Sequence, residues 1–306
     1  MRVLSIGEVL WDVYPDRELL GGAAFNFAAN IHRLGGTSAL ISGIGNDERG
    51  RRASEIMTRS GIITDGVQVV QNAPTGTAIV RLHNGCVPAF EIQRPAAYDM
   101  RTFSLDVSDW AYRFNADWFY FGTLVHMNPS VEEFTTAFAR GSRGLRCLYD
   151  VNLRNDNWNL MLVKRLCRLA NVFKLNLEES RTLFEASGFA KAEFSLELFC
   201  TRWASEFSFD IVCVTLGAEG CCVYADGRLW KTPGYSVQVR DTVGSGDAFA
   251  AGFLYAYDRG WPIPKASRLA NALGALVASR SGATPEVTLD ECLAMASLGA
   301  SPGGEQ

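Results

Sequence analysis

The chain has 306 residues, enough to bury a large core, and 48% of them are hydrophobic. Its 29 Lys and Arg against 33 Asp and Glu leave a net charge of −4, which gives no support for binding nucleic acid or an anionic membrane. Small molecules are the expected partners. Eight cysteines are scattered without CxxC or Cys/His ligand spacing, so they read as reduced, buried thiols of a cytoplasmic protein rather than a metal cluster. The start, MRVLSIGEVLWD, carries one basic residue and then acids; its apolar run is too short for a signal peptide. No window reaches the ~18 apolar residues of a membrane span.

Taken in chain order, VLSIG reads as a β-branched strand. The apolar spacing Ala24, Phe27, Ala28, Ile31, Leu34 predicts a helix closed by the following GG. SALISGIG is the next strand and DERGRRASEIMTRSG the next helix. Residues from about Val67 to Arg94 break this rhythm. Three strand-like runs there, VQVV, TAIVRLH and VPAFEIQR, are joined by turn residues with no helix between them. They predict a small antiparallel sheet, projecting as a lid formed by about residues 10–20 and 67–98. Ile79, Val80, Leu82, Val87, Phe90 and Ile92 put many apolar side chains on that sheet, which alone would be marginally stable. It is therefore expected to cover a site or to join two subunits as a homodimer. WFYFGTL, RCLYDVN, VFKLN and DIVCVTLG are later strands, each expected to lead into a helical stretch. CCVYADGRLWKTPG holds an Asp226-Gly227 hairpin signal. The expected fold is α/β: one domain over 1–306, a mainly parallel central sheet covered by helices on both faces, with the small antiparallel β lid.

Near the end, VQV predicts a strand, DTVGSG a turn and GDAFAAGFLYAY a helix. Gly244 and Gly246 permit backbone geometry that other residues resist, and Ser245 adds little bulk. Successive N–H groups can then line one concavity at a helix N-terminus, where the dipole favours an anion. Asp247 falls in the first turn of that helix, the place of an ordinary acidic cap or of a functional carboxylate.

DTVGSGDAFAAGF closely resembles the C-terminal signature of the ribokinase-like carbohydrate kinases, the PfkB family. GGAAFNFAANIHRLGG, residues 21–36, resembles its second signature. GEVLWD, DVNLR (150–154), KLNLEE (174–179), VTLGAEG (214–220) and NALGALVAS (271–279) follow in family order. The resemblance spans nearly the whole chain, and GEVLWDVYPD, GG.AFNFA and DVNLR look most like the bacterial fructokinase branch.

The resemblance implies transfer of the γ-phosphoryl group of ATP, with Mg²⁺, to a hydroxyl of a free monosaccharide, D-fructose first. Gly244, Ser245 and Gly246 would form the anion hole and Asp247 the base. Arg154 would neutralise phosphate charge, and Asn176 and Glu179 would organise Mg²⁺ and water, although such a pair is also a common helix cap. Thr215, Gly217, Gly220 and Asn271 match nucleotide-binding positions. Asp12, Gly21, Gly22 and Asn26 match positions that hydrogen-bond sugar hydroxyls, with Arg94 at the lid rim and Trp11 expected in the core. Asp241 and Val243 match a site for K⁺. One departure stands out: Ala23-Ala24 replaces the usual Lys-Gly pair, which counts against ribose. The other members considered are 2-keto-3-deoxygluconate kinase, ribokinase and nucleoside kinase; a phosphosugar acceptor would need a Lys or Arg cluster that the sugar-side motifs lack.

Other classes fare worse. No G-x-x-x-x-G-K-[ST] occurs, GIGNDERG places Glu48 where a dinucleotide fingerprint needs its third glycine, and HExxH and GxSxG are absent. A non-catalytic sugar-binding protein on the same fold would be expected to have lost the glycine loop or the base, and both are present.

Overall fold

The computed structural model describes residues 1–83, 87–99, 105–154, 157–188 and 193–298. The buried run β1 (Arg2–Ile6) is followed by two short strands, β2 (Leu10–Val13) and β3 (Glu18–Gly21), and then by α1 (Ala23–Arg33). As expected from the GG pair, Gly35 turns left-handed at φ 89°, and the Gly36 N–H returns to the Ile31 carbonyl. β4 (Thr37–Gly45), α2 (Glu48–Arg59) and β5 (Ile63–Val70) come next, then the pair β6 (Gly76–His83) and β7 (Val87–Gln93). The rest of the first half is α3 (Leu105–Phe114), β8 (Trp118–Gly122), α4 (Pro129–Gly141) and β9 (Arg146–Asp150). The second half runs α5 (Leu160–Cys167), β10 (Val172–Asn176), α6 (Leu177–Ala186), α7 (Leu196–Phe207) and β11 (Ile211–Thr215). A hairpin, β12 (Cys221–Ala225) and β13 (Arg228–Thr232), precedes α8 (Ser245–Asp258), α9 (Ile263–Ala278) and α10 (Leu289–Leu298).

Nine strands form one sheet in the order β13-β12-β11-β10-β9-β8-β1-β4-β5. From β11 to β5 every neighbouring pair is parallel. The β12–β13 hairpin closes one edge antiparallel, turning at Asp226 and Gly227, both at positive φ as a tight two-residue turn requires. Residues on successive positions face opposite ways. On β8, Trp118 and Tyr120 enter one core with Phe27, Phe253 and Leu269, while Phe119 and Phe121 enter the other with Tyr149, Phe173 and Trp203. Helices therefore cover both faces, as the strand–helix alternation predicts. No helix among the described residues is long and apolar enough to cross a membrane.

Four expectations are corrected. Residues 67–70 are not part of the small sheet; they end β5, which pairs in parallel with β4 at the edge of the large one. The small sheet has the order β3-β2-β6-β7, and its central pair, β2 with β6, is parallel rather than antiparallel, because β4, α2 and β5 intervene. β11 leads into one short 3-10 turn (Gly217–Glu219) and the hairpin instead of a helix. VQV at 237–239 is no strand: it joins no sheet among the described residues, Val239 is exposed, and the Arg240 and Asp241 N–H groups bond the Ala278 carbonyl at the end of α9.

Of the apolar residues expected on the small sheet, Val80 is buried and Ile79 and Ile92 are half-buried; the side chains of Leu82, Val87 and Phe90 lie outside the described set. Trp11 is core, donating its indole N–H to the Arg49 carbonyl. Seven cysteines are buried free thiols, and Cys86 lies outside the described residues.

Candidate active site

The strand order reverses beside β1: the chain first builds outward through β4 and β5, then returns to β8 on its other side. Such a switch point leaves a crevice outside the carboxyl ends of the strands. Into it come the start of α1, the end of β2 and the start of α8. Gly22 stands at φ 108°, and a Cβ there would lie 2.2 Å from the Glu8 carbonyl oxygen. A Cβ on Gly21 would lie 2.6 Å from Asp12 Oδ2. The two glycines thus let β3 turn into α1 hard against Glu8 and Asp12. Glu8 Oε1 in turn accepts the Ala23 N–H at the first turn of that helix. Gly244 serves α8 in the same way, at φ 76° and packed on Ala283, where a Cβ would lie 2.4 Å from the carbonyl oxygen.

Two clefts adjoin here. The first, about 370 Å³, has Asp12, Asn26, Arg154, Lys174 and Asp247 among its lining residues. Register explains one wall: Asp12, Ala78 and Ile92 are aligned across β2, β6 and β7, and all three face it. The second cleft, about 610 Å³, is more apolar, with Tyr235, Val237, Phe249 and Ala275 among its walls. Both are lined by Thr215, Gly217, Thr242, Ser245 and Gly246, so they meet at the glycine loop. At that junction the N–H groups of Gly246 and Asp247 find no acceptor among the described residues, the normal state of a helix's first turn.

Charge is concentrated at the meeting point. Asp247 is buried and accepts a 2.8 Å hydrogen bond from Asn26 Nδ2. Burial and the nearby Asp150 push its pKa up to about 6 against the pull of Lys174, Asn26 and Arg154. Lys174 is buried, with its ammonium 2.9 and 3.0 Å from the two Asp150 oxygens, and the Tyr120 hydroxyl donates to Asp150 at 3.2 Å. Burial works against the lysine's charge, but Asp150 and Asp247 beside it hold its pKa above the usual value. A Cβ on Gly246 would lie 3.3 Å from that ammonium, so the glycine lets the loop rest on the lysine. Asp12 is pushed up to about 7, by burial first and then by Asp241, with Arg154 opposing. Arg154 itself has no carboxylate partner among the described residues; its described bond goes to the Leu153 carbonyl.

A carboxylate with a raised pKa, a cationic wall and free N–H donors at a two-cleft junction suit transfer of an anionic group to a hydroxyl. Residues 13–289 match the pfkB family of carbohydrate kinases. The chain belongs to that family. It is 32% identical to a fructokinase of Escherichia coli over 271 residues, 83% of each chain. It is 26% identical to an aminoimidazole riboside kinase of Salmonella typhimurium over 299 residues, 92% of this chain and 90% of that one. The crystal structure of a fructokinase with bound ATP from Xylella fastidiosa is similar at a TM-score of 0.84 and 25% identity, covering 97% of this chain and 98% of that one.

Within this pfkB kinase, Asp12, Gly22, Asn26, Arg154, Asn176, Glu179, Thr215, Gly217 and the loop from Val243 to Asp247 line the first cleft. Gly220 and Asn271 line the second. Asn271 is a brace: its amide donates to the Thr232 and Pro233 carbonyls at 3.2 and 3.0 Å. Asn176 and Glu179 form a reciprocal capping box on α6, and Glu179 also accepts the Leu153 N–H. Burial raises the Glu179 pKa, with Lys174 opposing. Gly21, Arg94 and Asp241 line neither cleft. Arg94 is held by Asp99 and Asn157, and Asp241 accepts from Tyr14, Val243 and Gly282. Sequence reading missed Glu8, Asn152, Asp150 and Lys174. For Lys174 a signal existed: one cation in VFKLN, a run otherwise fit for a buried strand.

Proposed function

We propose that this chain is an ATP-dependent sugar kinase that transfers the γ-phosphoryl group of ATP to a hydroxyl of a free monosaccharide, with D-fructose favoured. The observation that carries the reading is the meeting of two clefts at the glycine loop, with the buried Asp247 carboxylate on its inner side. The fructokinase relatives and the structure described with bound ATP support it.

In this reading the sugar lies in the first cleft, with hydroxyls on Asp12 and on Asn26, whose amide orientation is set by its bond to Asp247. Asp247 takes the hydroxyl proton as the sugar oxygen bonds to the γ-phosphorus and the bond to the β-phosphate oxygen breaks. A pKa near 6 leaves the carboxylate ionised at neutral pH and still basic enough to accept a proton. The free N–H groups at Gly246 and Asp247 and the Arg154 guanidinium stabilise the charge on the group in flight. The second cleft takes the nucleotide, its apolar walls against the base. Arg154 and Lys174 are the basic groups lining the first cleft among the described residues, and Lys174 is already paired with Asp150. That favours a neutral sugar over a phosphosugar.

Among the described residues no cluster of three His, Cys, Asp or Glu could hold a metal. That fits Mg²⁺ carried on ATP phosphates and waters, with Asn176 and Glu179 as outer neighbours; bound there it would neutralise phosphate charge. K⁺ fits less well, because three protein donors already occupy the Asp241 carboxylate, and no step is assigned to it. A cytoplasmic homodimer joined through the small sheets belongs to the same proposal; the mass in solution at micromolar concentration tests the dimer.

The deciding experiment is ADP release with Mg-ATP across D-fructose, D-ribose, 2-keto-3-deoxygluconate, adenosine and aminoimidazole riboside. Fructose is expected to give the highest kcat/KM. Turnover on another acceptor with none on fructose sinks the sugar assignment alone. Turnover on no acceptor sinks the kinase reading.

A further inference from the structure

Asp12, on β2, faces the first cleft, and Tyr14 comes directly after that strand's last residue, Val13. The Tyr14 hydroxyl donates to Asp241 Oδ2 at 3.1 Å, although 227 positions separate the two residues. The same carboxylate accepts the Val243 N–H at 3.1 Å and the Gly282 N–H at 3.2 Å. Asp241 therefore ties together three segments: the β2–β3 hairpin, the glycine loop and the 282 segment. Gly244 packs on Ala283, next to Gly282. A second contact supports the first, since a Cβ on Gly282 would touch Leu19 Cδ1 at 3.4 Å, and Leu19 is the β3 partner of Asp12. The hairpin's own turn is closed by the Tyr14 N–H on the Arg17 carbonyl, and the Arg17 guanidinium stacks 4.5 Å from the Tyr14 ring. Nothing in the chemistry above uses this tyrosine.

We propose that Tyr14 is a positioning residue for phosphoryl transfer: its hydroxyl fastens the acceptor-side hairpin to the glycine loop through Asp241. A sugar seated against Asp12 and the N–H groups of Gly246 and Asp247 are then held in one frame. The inference rests on the kinase reading. It assigns Tyr14 no contact with either substrate, so its removal acts on the transfer step, where a small misplacement of the anion hole is felt most.

Tyr14→Phe removes one oxygen and keeps the ring and its arginine. With D-fructose, or whichever acceptor of the panel turns over fastest, kcat is expected to fall about tenfold, the scale of one hydrogen bond to a charged group. The sugar Kd from calorimetry should stay within about twofold, because Asp12 and Asn26 are untouched. In an Asp241→Ala background the same substitution should add less than about twofold, since the acceptor is already gone. An unchanged kcat overturns the proposal. So does a parallel loss of sugar affinity, which would make Tyr14 a wall of the cleft, or additivity with Asp241→Ala. A wild-type chain that phosphorylates no acceptor overturns the kinase reading along with it; a wild type that turns over beside an equally active Tyr14→Phe overturns this inference only.

Discussion

Replacing Asp247 with Asn separates what this carboxylate does for catalysis from what it does to the fold. The amide keeps the shape and can still accept the Asn26 bond. In the wild type burial lifts the pKa from 3.8 to about 6. The folded state therefore holds this proton to higher pH than the unfolded chain does. The stability linked to it is complete below the unfolded pKa and is lost as pH rises through about 6. About two pKa units at ~1.4 kcal/mol each place the neutral-pH penalty of the ionised group on the order of 3 kcal/mol. Asn carries no such penalty. At about 2.1 cal/mol/K of unfolding entropy per residue, that gain corresponds to a Tm roughly 4–5 °C above wild type at pH 7.5. About half of the gap should be present at pH 5 and all of it above pH 7. Over the same range kcat should fall by roughly 10² to 10⁴. Differential scanning calorimetry from pH 5 to 8, beside the ADP-release assay, reads both quantities. A variant less stable than wild type at neutral pH, or a Tm gap that ignores pH, refutes the argument from a buried charge. One that keeps more than about a tenth of kcat refutes proton abstraction by Asp247.

Two further substitutions probe the rest of the junction. Arg154→Met should lower kcat at least about tenfold with only a small loss of Tm, because the guanidinium is hydrogen-bonded to no carboxylate among the described residues and acts on Asp12 and Asp247 only through their charge; a Tm loss without a rate loss would mark it as structural. Gly244→Ala forces a side chain into a left-handed position against the Ala283 carbonyl. It should destabilise by about 1–3 kcal/mol and raise the KM for ATP, and an unchanged KM would detach this glycine from phosphate binding.

The large sheet was legible because its strands are short apolar runs broken by helices with readable caps, such as the GG after α1 and the Asn176–Glu179 box on α6. VQVV was misplaced because a strand's composition records that it pairs, and not with which neighbour; Val67 to Val70 had β4 to pair with. VQV at 237–239 shows the converse, strand-like residues that join no sheet among the described residues. At the site, the glycine loop and the residues around it stand in contiguous stretches whose pattern carries their geometry. Lys174 and Asp150 were harder, since their pairing depends on β9 and β10 lying side by side in register. The Tyr14–Asp241 bond joins opposite ends of the chain, and no local pattern encodes it.

The switch point beside β1 also orders the chain by ligand. In the proposed reading the acceptor-side residues from Glu8 through Asn26 to Ile92 precede α3, and the base Asp247 and the residues around the nucleotide and its phosphates follow it. On that reading acceptor choice is written mainly in the length of polypeptide before α3 and donor choice in the length after it. A single recombination between α3 and β8 would exchange one and conserve the other. Such a chimera has to keep the Val3–Trp118 register between β1 and β8 and the two long-range bonds Asn26–Asp247 and Tyr14–Asp241. A fold arranged this way can pass to a new acceptor by inheriting a different first third, with the phosphate-handling remainder left as it was.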